Sequence, residues 1–340
     1  MLNAEANSQN QTIIFRLTAL WALNESGLGG FLHALNFPFS GLIIGSIAVA
    51  LISFIIYFSG TDKTTLFNAL IIVLIIKLLM SPHSSVTAYF AVSFQAVCAY
   101  VFYRLFGIHL ISVIFVCVLS FLESAVQKLI TLTVIGGLSF WNAIDVFVEN
   151  IGKQLFQLEI SNASLWLVGI YFSIYLVFAL LSAFFIHSLL EQFKMINFGT
   201  RTNESLNAYI NEPIISNKKP KPFWLKLLLY SFIIVFVVFT FLIFNKESYK
   251  DHFLIYYFLR TISVILFWYY IVMPYSLLLI KKYLNNKLVS YQAEVDEIIE
   301  VFPKLKLIIL YSWHQSAKFK GFRRLKHFFT LTLLEILSYK

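Results

Sequence analysis

Charge is what this 340-residue chain has least of: Asp, Glu, Lys and Arg make up 13% of it, about half the share of an ordinary soluble domain. So few charges cannot cover a water-facing surface. Cysteine is nearly absent, and Cys98 and Cys117 both sit in apolar runs, which argues against a disulfide framework. With 13 Gly and 7 Pro, the chain is neither collagen-like nor a low-complexity linker. No G-x-x-x-x-G-K-[ST], H-E-x-x-H or G-x-S-x-G run occurs, so the chain carries no P-loop ATPase and no familiar metalloprotease or serine-hydrolase signature. The roughly 10-residue alternation of an outer-membrane barrel is missing too.

Apolar side chains fill the space. They are 59% of the sequence, with 36 Phe and 18 Tyr, and they come in long stretches. Backbone in lipid must satisfy its own polar groups, which without a barrel means helices. A span needs roughly 17–25 apolar residues. The sequence predicts an all-α polytopic bundle of about 8–10 membrane segments with amphipathic helices at its C-terminal end. Expected spans are 41–59, 64–80, 86–106, 108–122, 124–140, 164–190, 223–245 and 253–280. The fourth and fifth are short and read as one bent helix or a tight hairpin. Residues 13–35 read as a half-buried or re-entrant segment. The polar start, residues 1–12, has no Lys or Arg before the first apolar run, so no cleavable leader is expected.

Charge divides the chain. Residues 1–160 hold 6 Lys/Arg against 7 Asp/Glu, residues 161–280 hold 9 against 5, and residues 281–340 hold 11 against 5. The positive-inside rule places basic short loops in the cytoplasm. Loop 191–222, with Lys194, Arg201, Lys218, Lys219 and Lys221, is therefore expected there, and so is the chain beyond Lys281-Lys282. This bias accounts for the basic pI of 9.3 without nucleic acid. Three regions follow: a near-neutral bundle at 1–155, membrane helices at 160–282, and a cytoplasmic amphipathic region at 283–340. In the last, Leu288, Tyr291, Val295, Ile298 and Phe302 fall at helical spacing. Pro303 is expected to end or kink that helix. Lys318, Lys320, Gly321, Arg323 and Arg324 form a basic turn before a second amphipathic run. One reading is an interfacial anchor on anionic lipid; the other is an element that docks into a partner's groove.

Polar residues inside apolar runs are costly and mark candidate sites. Glu25 and His33 flank Gly27, Gly29 and Gly30. His83 lies in Ser81-Pro82-His83-Ser84-Ser85, where Ser84 or Ser85 suits an N-cap for a helix carrying Gln95. Glu123 and Gln127, four apart, share a helix face; Lys128, Trp141, Asn142 and Asp145 follow. Glu123 stands out as the strongest candidate; its structural alternative is an ion pair with Lys128 or another basic group, or a position near the interface that water reaches.

The order of elements in 160–340, with Ala317 before Lys320-Gly321, resembles the T component of energy-coupling factor (ECF) transporters, whose coupling helices end in an Ala-Arg-Gly-type motif; Lys stands here for Arg. The size and charge balance of 1–155, with Ser81-Pro82-His83 leading to Tyr89, Phe94 and Gln95, resemble the solute-binding S component. The resemblance implies a transport subunit in a bacterial inner membrane. It would hold no cofactor itself and rely on cytoplasmic ATPase subunits that bind ATP. A small solute such as a vitamin would be held by Glu25, His33, His83, Tyr89, Gln95, Glu123, Gln127 and Asp145, and coupling would fall to Lys318, Lys320, Gly321, Arg323 and Arg324. The Met-His start of the cobalt and nickel type is missing, because the chain begins Met1-Leu2-Asn3, so a metal ion is the less favoured solute, with Glu25, His33, His83 and Glu123 as the residues that could form a site for one. Two other classes remain: a membrane-embedded enzyme using Glu123 and His83 for acid–base chemistry, and a non-catalytic scaffold.

Overall fold

A computed structural model describes residues 2–34, 39–60, 62, 64–81, 84–151, 153–154, 162–194 and 253–338. The expected span 223–245 and most of loop 191–222 lie outside the described residues. Among the described residues every regular element is helical and there is no strand. The helices are α1 (Leu2–Leu23), a π-helical turn (Asn24–Leu28), α2 (Gly29–Ala34), α3 (Ser40–Ser59), α4 (Thr65–Met80), α5 (Val86–Phe106), α6 (Leu110–Ile151) and α7 (Ala163–Lys194). Then come α8 (Phe253–Phe267), a second π turn (Trp268–Val272), α9 (Met273–Gln315), a 3-10 turn (Ser316–Lys318) and α10 (Gly321–Ser338). Five helical segments are long and apolar enough to cross a membrane: Ser40–Ser59, Val86–Phe106, Leu110–Gly137, Ala163–Lys194 and one within Leu259–Lys318. These helices suit a lipid bilayer.

The chain divides into two compact units, one made of Met1–Val126, Ile170–Glu212 and Ile280–Lys340, the other of Gln127–Gly169 and Pro213–Leu279. In the first, α1 packs on α3 and α4, and α5 packs on both of these. Trp21, Phe54, Phe121 and Phe193 are its largest fully buried side chains, and Phe54 and Phe193 meet edge to face at 5.1 Å. Residues 13–35 read as a half-buried or re-entrant segment; their first part, to Ser26, is largely buried, while Phe31 in α2 is exposed. Ile13, Leu17, Ala19 and Trp21 are core, and the helix that bears them begins within the polar start. The α10 helix packs on α1. There Arg16 Nη1 donates to the carbonyls of Ile336 at 3.0 Å and Leu337 at 3.1 Å. These are α10's last-turn acceptors, left over by its own ladder.

In the second unit α6 is interrupted at Gly137, with φ 68° and ψ −176°. The fourth and fifth expected spans therefore lie on one helix, Leu110–Gly137, whose break falls near the end of the fifth. It passes through Glu123 unbroken because nothing between 110 and 135 is Gly or Pro. The Gly137 conformation is one essentially reserved for glycine, and a Cβ there would also lie 2.5 Å from Arg260 Nη1. Two bonds brace the region: Trp141 Nε1 donates to Thr133 Oγ1 at 3.0 Å, and Asp145 Oδ1 accepts from the Ser164 amide at 2.6 Å.

The α9 helix runs through both Lys281-Lys282 and Pro303. Of the end or kink expected at Pro303, the end does not occur: the helix continues to Gln315, although proline removes a ladder bond and crowds the preceding turn. The apolar face of this stretch, Val295, Ile298, Phe302, Leu305 and Ile308, is buried, and that packing holds the helix together.

Candidate functional site

The first unit encloses a polar cluster where α1 changes pitch. The Gly29 amide donates to the Asn24 carbonyl five residues back, which widens the helix by one residue; such π turns recur at functional sites. The result is that three consecutive residues, Asn24, Glu25 and Ser26, are all buried. Glu25 meets Lys77, whose Nζ donates to Glu25 Oε2 at 2.7 Å, with both side chains at most 5% exposed. A lone buried charge would cost several kcal/mol; a close, hydrogen-bonded pair offsets most of this while adding little net stability.

Around the pair the polar groups divide into satisfied and unsatisfied. Ser26 Oγ donates to the Ala22 carbonyl at 2.6 Å and Ser81 Oγ to the Ser26 carbonyl at 2.9 Å, tying the end of α4 to the π turn. Asn24 Nδ2 donates to the Ile44 carbonyl at 3.1 Å, but Asn24 Oδ1 has no partner among the described residues. The Gln95 amide lies beside Gly45, next to Ile44, where a Cβ would be 3.4 Å from Gln95 Nε2. Gln95 Oε1 likewise has no partner among the described residues. Two buried acceptors therefore flank one step of α3. An unmet buried acceptor costs about 1–3 kcal/mol, so each is a place where a donor from outside the chain would be stabilised.

The expected site residues are distributed as follows. Glu25 and Gln95 belong to this cluster. Tyr89 is buried on α5, six positions before Gln95, with its hydroxyl unpartnered among the described residues. Glu123 and Gln127 are half-buried on α6, and Glu123 is within electrostatic reach of the Cys98 thiol, one turn beyond Gln95. Asp145 belongs to the second unit and is committed to Ser164, whose amide and, at 3.0 Å, hydroxyl it accepts. His33 lies in α2, and His83 is outside the described residues. Ser85 stands at the N-cap of α5, but its hydroxyl bonds Thr87 Oγ1 and makes no cap bond. In the basic turn Lys318, Lys320, Gly321 and Arg323 are exposed, whereas Arg324 lies 4.1 Å over the Trp313 ring.

Sequence reasoning missed Lys77. Its signal was present: it is the single charge in the apolar helix Thr65–Met80, and an ionisable residue inside such a run calls for a partner. Among the described residues no group of three His, Cys, Asp or Glu side chains is arranged to hold a metal. No family model matches the chain, and neither a curated protein nor a solved structure resembles it significantly.

Proposed function

We propose that this protein is the membrane subunit of an uptake transporter, binding a small polar solute at the Asn24–Glu25–Lys77–Gln95 cluster. In this reading the chain lies in a bacterial inner membrane with about 8–10 segments and its basic C-terminal region on the cytoplasmic side. Separate ATPase subunits supply the energy, as the ECF resemblance suggests, since this sequence has no phosphate-binding loop of its own.

The observation behind the reading is the π turn that buries Glu25 against Lys77 beside two acceptors with no partner among the described residues. Buried polar groups in membrane helices are expensive and tend to mark ligand or ion paths. A purely structural pair would gain nothing from neighbouring acceptors left empty.

The test is direct. The chain, purified in mild detergent with its lipids, should release a defined small molecule on denaturation, read by mass spectrometry. Asn24→Leu combined with Gln95→Leu should abolish that release while the protein stays folded. If the wild type releases nothing that the double variant lacks, the solute site is refuted. Co-purification of a nucleotide-binding subunit with the wild type tests the source of energy separately.

A further inference from the structure

From Val301 to Leu334 the chain has seven Lys and Arg and no Asp or Glu. The centre of that stretch is the connection between α9 and α10. It turns at Gly321, whose φ of +56° places it in the left-handed region. Three cations here are exposed: Lys318, Lys320 and Arg323. Among and just after them lie exposed apolar side chains, Phe319 at 41%, Phe322 at 63% and Leu325 at 44% exposure. The neighbouring cations are spent within the protein, Arg324 over Trp313 and Lys326 on Ser188 Oγ at 2.8 Å. The turn is thus braced from inside while presenting an alternation of cation and ring outward.

Its level is set by α7. The exposed large apolar side chains of that helix run from Leu165 to Phe184 and stop there. At 1.5 Å per residue this is about 28 Å, close to the thickness of a bilayer's hydrocarbon core. Beyond it come His187, Ser188, Glu191, Gln192 and Lys194. Phe322 packs edge to face on Phe185 at 5.6 Å, one residue past the end of the apolar ladder. The turn therefore sits where hydrocarbon gives way to headgroups. There, rings favour the boundary and cations meet lipid phosphate.

We propose that residues 316–325 form a seat for anionic phospholipid, with Phe319, Phe322 and Leu325 entering the acyl boundary and Lys318, Lys320 and Arg323 engaging headgroup phosphates. This inference does not depend on the solute site. It commits the turn to lipid rather than to a protein groove.

The experiment uses the full chain in nanodiscs of phosphatidylcholine alone or mixed with phosphatidylglycerol, read by amide hydrogen exchange. Peptides covering 316–326 should exchange about tenfold more slowly in the mixed discs. High salt, or Lys318→Glu with Lys320→Glu and Arg323→Glu, should abolish the difference. Phe322→Ser should reduce it. Residues 332–337, all buried but Leu334, report that each variant is folded. Equal exchange in both discs would overturn the proposal. So would protection that appears only when a nucleotide-binding subunit is added, an outcome that would assign the turn to coupling instead.

Discussion

Each unit interrupts a long helix, and the two interruptions do different things. In the first, the π turn at 24–28 keeps the ladder continuous while turning three consecutive polar residues inward. In the second, Gly137 breaks the ladder outright with a positive φ, and the charge beside it, Arg260, is exposed. The first irregularity concentrates polar groups where water is excluded and has to neutralise them internally. The second only redirects a helix, and its charge keeps access to the surroundings. A kink by itself is therefore a poor sign of function; a kink that buries an ion pair is a better one.

That contrast is broken or sharpened by substitution. The largest effect is expected from Lys77→Met, which strands the Glu25 carboxylate in the core. It should cost about 3–5 kcal/mol, measured by denaturant titration in detergent, and adding Glu25→Gln should recover most of the loss. A cost below about 1 kcal/mol would mean that Glu25 is hydrated, erasing the difference between the units. Next, Gly137→Ala should cost about 1–3 kcal/mol from backbone strain, with faster hydrogen exchange confined to the second unit. Arg260→Ala in the same chain should relieve the clash but not the strain. If Gly137→Ala instead loosened 24–28, the two interruptions would be coupled.

Asp145→Ala should be milder. It removes the acceptor for the Ser164 amide and hydroxyl at the start of α7 and should cost about 0.5–2 kcal/mol as a lost cap, read as fraying of residues 163–166. The smallest effect belongs to Asp62, in the connection from α3 to α4. The Thr65 hydroxyl, and then the Thr64 amide and hydroxyl, donate to its carboxylate and hold its pKa below the usual aspartate value. Because the folded value is the lower one, its contribution is complete above the unfolded pKa and is lost as pH falls through the folded pKa. Carboxyl titration by NMR should show the depressed midpoint, and Thr65→Ala should move it back toward that of a free aspartate.

Much of the helical layout was legible because it rests on run length. The expected 41–59, 64–80 and 86–106 match α3, α4 and α5 to within a residue or two, since Gly60 and Gly107, at positive φ, bound two of them. Long-range packing was not legible. The polar residues of the start gave no hint that helix would extend from Leu2 into the buried Ile13–Ala22 stretch. Pro303 looked like a stop because its cost is local, while the burial that outweighs it comes from elsewhere in the unit. At the site, Glu25 and Gln95 stood out as polar residues in apolar surroundings. Their setting did not, because a π turn depends on which neighbours the helix meets, and because the partner of Glu25 lies 52 positions away.

The account's central claim is that the acceptors at Asn24 and Gln95 are kept for a ligand rather than for the fold. Gln95→Leu tests it most directly, through the amount of co-purifying solute in a preparation and then the thermal midpoint of the same preparation after the solute is stripped. An unchanged or raised midpoint with the solute lost is predicted, since removing an unmet buried acceptor stabilises the empty bundle. A clearly lowered midpoint with the solute retained would contradict it.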